Sequence, residues 1–180
     1  MSTPDSSPKY SAKKDLVNLL LFQTVWFATV LGAAKGTVGF GLTALAIFMV
    51  VNHWLSLHPW SDLKLAGIAV FIGLIVETGL FRIGLFDYVH IAYSMPIAPL
   101  WILFLWAGFA LTLNGCLRWL HGRYFLGSIL GALGAPASYF GGIKLGAATT
   151  DEPLLIVLGV VAIVYAVITP LLLFIARRSI

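Results

Sequence analysis

Polar and apolar residues along this chain separate into long blocks rather than alternating within short windows. Residues 1–15, MSTPDSSPKYSAKKD, carry prolines, hydroxyls and charges but no apolar run, and read as a polar tail. From Leu16 onward, apolar runs cover about 16–34, 37–55, 63–81, 100–120, 124–147 and 154–176. Each is close to the ~20 residues that an α-helix needs to cross the hydrocarbon core. The pattern predicts an all-α fold: a polytopic transmembrane bundle of six helices filling residues 16–180 as one unit. The breaks between runs have turn chemistry. HWLSLHPWSD holds Pro59, Ser61 and Asp62, with Trp54 and Trp60 at headgroup depth. IGLFDYVHIAYSMPIAP, after Arg82, is interrupted by Asp87, His90, Pro96 and Pro99 and reads as an interfacial loop. Pro153 suits the first turn of the last helix, where a missing backbone N–H leaves nothing unpaired.

Basic residues set the orientation. With the N-terminus inside, Lys9, Lys13, Lys14, Lys64, Arg118, Arg123, Arg177 and Arg178 face the cytoplasm, eight against the three of the other side, Lys35, Arg82 and Lys144. The positive-inside rule then predicts both termini cytoplasmic, which requires an even number of spans. Lys13-Lys14 followed by residues 16–34 also fits a signal peptide with Gly32-Ala33-Ala34 as its cleavage site, but the run is longer than the about 7–15 residues usual for such a core, so it reads as a helix.

Composition agrees with the pattern. Hydrophobic residues make up 60% and charged residues only 10%, against roughly 25% charged in soluble proteins, so the bilayer is the solvent. Six crossings nearly exhaust 180 residues, leaving no separate soluble domain. The net charge of +4 comes with no basic stripe, since only Lys13-Lys14 and Arg177-Arg178 are adjacent, and no nucleic-acid partner is expected. The single cysteine, Cys116, excludes an intramolecular disulfide and reads as a small packing residue.

Glu77 carries the sharpest chemical signal. It lies in GIAVFIGLIVETGLF, where an ionisable group costs at least ~2.5 kcal/mol unless paired or hydrated, so it should face the bundle interior. Arg82, five positions on, is about 140° around the helix, which leaves Lys35 or Lys144 as the expected partner. The plain reading is one interhelical contact that fixes packing. The functional reading is a polar cleft open to the non-cytoplasmic side, built from Lys35, Glu77, Arg82, Asp87 and Lys144, with Gln23, Asn114 and Tyr139 deeper.

Gly32/Gly36, Gly127/Gly131 and Gly142/Gly146 each place small residues one turn apart, which reads as close helix packing. The alternative is a helix break at Pro136, within Gly134-Ala135-Pro136-Ala137-Ser138-Tyr139, that exposes backbone groups to a ligand. His53, His58, His90 and His121 lack zinc spacing, and no metal or other cofactor is expected. No P-loop, GxGxxG or nucleophile elbow is present. LLLFQTVWFATVLG in the first run is echoed by LWILFLWAGFALTLNG in the fourth, which would relate two inverted three-helix halves.

Pro99-Leu100-Trp101, the run from Leu105-Trp106 to Leu113, and Gly131 to Gly146 form a recognisable set. Together with Phe22-Gln23, Trp26-Phe27 and Gly84-Leu85-Phe86-Asp87 they resemble, over most of residues 16–176, a bacterial family of small multi-pass inner-membrane proteins known only as a domain of unknown function. Ala135 departs from the pattern, which has glycine before the proline. The resemblance implies a bacterial inner-membrane location and an accessory role beside enzymes that modify the acyl chains of membrane lipids, and it supplies no catalytic residue. Three readings stand: an accessory factor that binds or positions a membrane lipid or a lipid-modifying enzyme; a small secondary transporter with Glu77 as proton or cation site; and a membrane enzyme using Glu77 or Asp87 as general base beside Lys144.

Overall fold

The computed structural model describes residues 11–89 and 97–180, so Lys9, His90 and Pro96 lie outside the described residues. Within them are six α-helices: α1 (Ala12–Ala34), α2 (Gly39–Leu55), α3 (Pro59–Arg82), α4 (Leu100–Leu113), α5 (Tyr124–Lys144) and α6 (Leu154–Ser179). Four of them, α1, α3, α5 and α6, are long and apolar enough to cross a membrane, while α2 and α4 are shorter apolar helices. Two short strands, β1 (Asp87–Tyr88) and β2 (Ala148–Thr149), pair antiparallel with Tyr88 opposite Ala148. Helices alternate in direction. One end of the bundle, the terminal end, therefore holds the start of α1, the end of α6 and the α2–α3 and α4–α5 corners. The other, the ribbon end, carries β1 and β2.

Several helix ends differ from the apolar runs, each for a local reason. α1 begins at Ala12 because Ser11 caps it, its Oγ accepting from the Lys13 N–H at 3.3 Å. α3 begins at Pro59, the favoured first position for proline. α4 stops at Leu113 instead of about 120, and a 3-10 turn, Arg118–Leu120, follows. Asn18 of α1 occupies the space of its next turn: Asn18 Nδ2 donates to the Leu111 carbonyl at 3.1 Å and Asn18 Oδ1 accepts from the Cys116 N–H at 3.2 Å. A Cβ on Gly115 would lie 2.6 Å from the Asn18 side chain, so glycine is needed there.

The short α4 is the centre of the bundle. It packs against α1, α2, α3 and α6, and most of its residues are buried. The longer helices shield it from lipid, which lets a segment of about 21 Å sit inside a hydrocarbon layer of about 30 Å. Val25, Phe48, Leu65, Trp106, Leu113 and Leu172 belong to the main core. At the terminal end a buried carboxylate–amide layer ties α2, α3 and the end of α4. Asp62 accepts from Asn52 Nδ2 and Asn114 Nδ2, both at 2.9 Å, and Asn52 Oδ1 accepts from Asn18 Nδ2 at 3.1 Å.

Two expectations about small residues and proline are corrected. The Gly127/Gly131 pair packs helix on helix, against Leu173, Thr169 and the Tyr165 carbonyl of α6, and Gly32 lets the start of α2 close on α1, since a Cβ there would lie 2.7 Å from the Thr37 carbonyl oxygen and 3.8 Å from Phe40. Gly36 and Gly146 instead close the ends of α1 and α5, at φ 71° and 84°, where the Thr37 N–H reaches the Gly32 carbonyl and the Ala147 N–H the Gly142 carbonyl. Pro136 does not break α5, which runs through it from Tyr124 to Lys144. A proline removes one backbone bond, and α6 packed along α5 supports the helix across it.

Candidate functional site

Glu77 sits on the buried stripe of α3, in register with Leu65, Ala69, Gly73 and Leu80, and is fully buried. Four donors from four separate segments converge on its carboxylate. Trp106 Nε1 of α4 donates to Oε1 at 2.9 Å, Tyr165 of α6 to Oε1 at 2.8 Å, and Tyr88 of β1 to Oε2 at 2.8 Å. The Tyr139 hydroxyl of α5 lies 2.6 and 2.5 Å from the two oxygens. An ionised carboxylate offers about four lone-pair sites, so its acceptor capacity is filled. Among the described residues no basic side chain contacts it.

Local structure explains the convergence. Gly73, one turn before Glu77, leaves room for the Trp106 ring, which a Cβ there would meet at 2.5 Å. The turn through Gly84 folds the chain back so that Leu85, Phe86 and Tyr88 are buried, and the β1–β2 pairing fixes Tyr88 against α3. Phe86 stacks on Tyr139 at 4.8 Å, and Tyr165 contacts the rings of Trp106 and Tyr139. Burial, then the Glu77 charge, hold the Tyr88 phenol well above its usual range, so it remains a donor.

Behind this cluster lies a cavity of about 490 Å³ bounded by α1, α4, α5 and α6. All four donors to Glu77 are part of its wall, whereas Glu77 itself stands behind them. Among the described residues no charged side chain lines it, and most of its surface is apolar. α1 and α5 stay apart along most of their length and meet at Trp26, whose Nε1 donates to Ser138 Oγ at 2.7 Å. The exposed Phe27, Leu130 and Gly134 also line the cavity, so it communicates with the outer surface of the bundle between α1 and α5. The volume falls in the range of about 300–1,000 Å³ usual for small-molecule sites.

Residues 15–171 match the family described as protein of unknown function (DUF2878). The chain belongs to the DUF2878 family. No curated protein and no solved structure matches it.

The polar site expected from the sequence is assembled differently in this DUF2878 protein. Glu77 and Tyr139 come together, and Gln23 lines the cavity. Lys35, Arg82, Asp87 and Lys144 are all exposed and none lines the cavity. Lys35 borders a separate groove between α1 and α2, Asp87 lies in the ribbon, and Lys144 sits 5.5 Å over the Phe140 ring. Full charges stay where water solvates them, whereas phenol and indole groups accompany a carboxylate into an apolar interior. Asn114 joins Asp62 at the terminal end, fifteen positions before Glu77 on α3 and so about 22 Å from it. Neither Glu77 nor Asp87 contacts Lys144, so the general-base arrangement is not assembled.

Sequence reasoning missed Tyr88, Trp101, Trp106 and Tyr165 in the DUF2878 site. Depth was the available signal. Trp and Tyr favour the membrane interface, yet Trp106 and Tyr165 fall near the middle of α4 and α6, where a polar aromatic needs a buried partner.

Proposed function

We propose that this DUF2878 protein is an accessory factor of a bacterial inner membrane that binds a membrane lipid in the cavity among α1, α4, α5 and α6 and positions it for a lipid-modifying enzyme. The observation that carries the reading is an uncharged, mainly apolar cavity that reaches the lipid-facing surface between α1 and α5 and is walled by the four side chains anchored to Glu77. An apolar chain enters such a space from the bilayer without crossing water. The basic-residue bias supports an orientation with both termini cytoplasmic.

Lipid mass spectra of cells lacking the protein, complemented with wild type or with Glu77→Gln, test the reading. An acyl species missing or accumulated, and restored only by wild type, is the expected result; an unchanged profile, together with no lipid co-purifying with the wild-type chain, rejects it. A secondary transporter is the second reading. It draws on the buried Glu77 and on the 3.3 Å contact between the Tyr139 and Tyr165 hydroxyls, which extends a hydrogen-bonded chain from the carboxylate. It predicts that Glu77→Gln abolishes pH-coupled uptake in a folded protein.

A further inference from the structure

Resting on the lipid-binding reading above, we infer that the cavity holds an acyl chain bearing a hydroxyl group in the half remote from its headgroup, and that the side-chain amide of Gln23 binds that hydroxyl. Gln23 of α1 is exposed and lines the cavity beside Phe27, where α1 borders the opening toward α5. Its amide makes no hydrogen bond among the described residues. Thr24, the next residue and also exposed, shows how a lipid-facing polar group is satisfied within its own helix: its hydroxyl donates to the Leu20 carbonyl at 2.9 Å.

Depth makes the unpaired amide informative. The apolar run of α1, residues 16–34, is centred on Val25, and two residues of helical rise put Gln23 about 3 Å from that centre. In a hydrocarbon layer of about 30 Å the amide is therefore close to the bilayer midplane, beyond the reach of water and headgroups. An amide without a partner in hydrocarbon is costly, so the group that satisfies it comes from a lipid chain or from another protein. Each leaflet's chains end at the midplane, so what Gln23 meets there is the part of a chain farthest from its headgroup.

The cavity itself favours the chain. It extends from Leu117 and Leu120 near the terminal end to Tyr88 and Ala148 at the ribbon, along the bilayer normal as a lipid chain runs. Among the described residues no charged side chain lines it, so a polar headgroup stays at the interface and the chain alone enters. The Gln23 amide offers two N–H donors and a carbonyl acceptor. A hydroxyl both accepts and donates, so it pairs with either half of the amide, whereas an unsubstituted chain pairs with neither.

The test is equilibrium binding of radiolabelled methyl esters of one chain length to the purified full-length protein in mild detergent. One probe is unsubstituted, one carries a hydroxyl beside the ester group, and one carries it in the remote half of the chain. The remote-hydroxy ester is expected to bind roughly 5- to 10-fold more tightly than the other two. Gln23→Leu, which keeps the bulk on the lipid-facing side of α1 and removes the amide, should bring the remote-hydroxy ester to the affinity of the unsubstituted one. The wild-type probe series stands without any variant, so poor folding of Gln23→Leu does not spoil the result. A phospholipid with the remote-hydroxy chain, added as competitor, separates sources: displacement of the ester assigns the chain to a membrane glycerolipid, and its failure assigns it to a free single-chain ester. Equal wild-type affinity for the three esters, tightest binding of the one hydroxylated beside the ester group, or a remote-hydroxyl preference that survives in Gln23→Leu overturns the hydroxyl inference while leaving lipid binding in place. A dimer seen by light scattering that Gln23→Leu dissociates also overturns it, because the amide then pairs with a second copy of the chain. Absence of binding by every probe overturns the lipid-binding reading itself.

Discussion

At the scale of single residues, Glu77 acts by what it holds. Three phenols and one indole spend their donors on its two oxygens, and they come from α4, α5, α6 and the ribbon. Glu77→Gln replaces one acceptor oxygen by an N–H₂ donor. With the amide oxygen kept at the Oε1 position facing Trp106 and Tyr165, Tyr88 and Tyr139 meet the N–H₂ on the Oε2 side, rotate to accept from it, and their own O–H groups lose the carboxylate. The expected cost is about 1–3 kcal/mol, with a matching loss of lipid binding. Tyr139→Phe alone should cost about 1 kcal/mol, and the double variant clearly less than the sum, because both changes strip the same cluster. Thermal unfolding in mild detergent followed by circular dichroism reads all three, and strict additivity would show that the cluster does not act as a unit. Glu77 was legible in the sequence because a lone carboxylate in an apolar run stands out. Its partners were not, because Trp and Tyr are common in membrane sequences and these four are far apart along the chain.

At the scale of elements, small residues decide which side chains reach the carboxylate. Gly73 faces the Trp106 ring, whereas Gly67 on the same helix has nothing within 4 Å of a Cβ position. Gly73→Ala should therefore push the indole out of reach of Glu77, lower stability by about 1–3 kcal/mol and weaken lipid binding. Gly67→Ala should be neutral or stabilising by up to about 1 kcal/mol, since it relieves only the glycine penalty in a helix. Melting temperature and probe affinity measured on the pair separate a packing effect specific to Trp106 from a general change in α3. The six helices were legible as apolar runs, because surfaces that face lipid must be apolar throughout. The end of α4 was not: a side chain 93 positions earlier, Asn18, bonds the Leu111 carbonyl and takes the place of the turn that Leu117 to Leu120 would otherwise continue. Asn18→Ala should loosen that corner by about 2–4 kcal/mol, with the Leu111 carbonyl and the Cys116 N–H both losing a partner.

At the scale of the whole molecule, the alternating helices place the start of α1, the α2–α3 and α4–α5 corners and the end of α6 together, so one accessibility measurement orients them all. The eight-to-three basic bias predicts that this terminal end faces the cytoplasm. The native thiol is a poor reporter. Burial first, then the Asp15 charge, push the Cys116 thiol up to about 11, so near neutral pH almost none is thiolate. Its labelling by maleimide should be slow at pH 7 and rise about tenfold per pH unit until the thiol itself titrates, because the thiolate is the reacting form. That slow background allows single cysteines to be introduced at exposed positions of opposite ends, Lys35→Cys at the ribbon end and Lys64→Cys near the start of α3. In intact cells an impermeant maleimide should label Lys35→Cys at once and Lys64→Cys only after the membrane is opened. The reverse order would put the ribbon, and the Glu77 cluster near it, on the cytoplasmic side, and a lipid-modifying partner would then have to reach the cavity from that face.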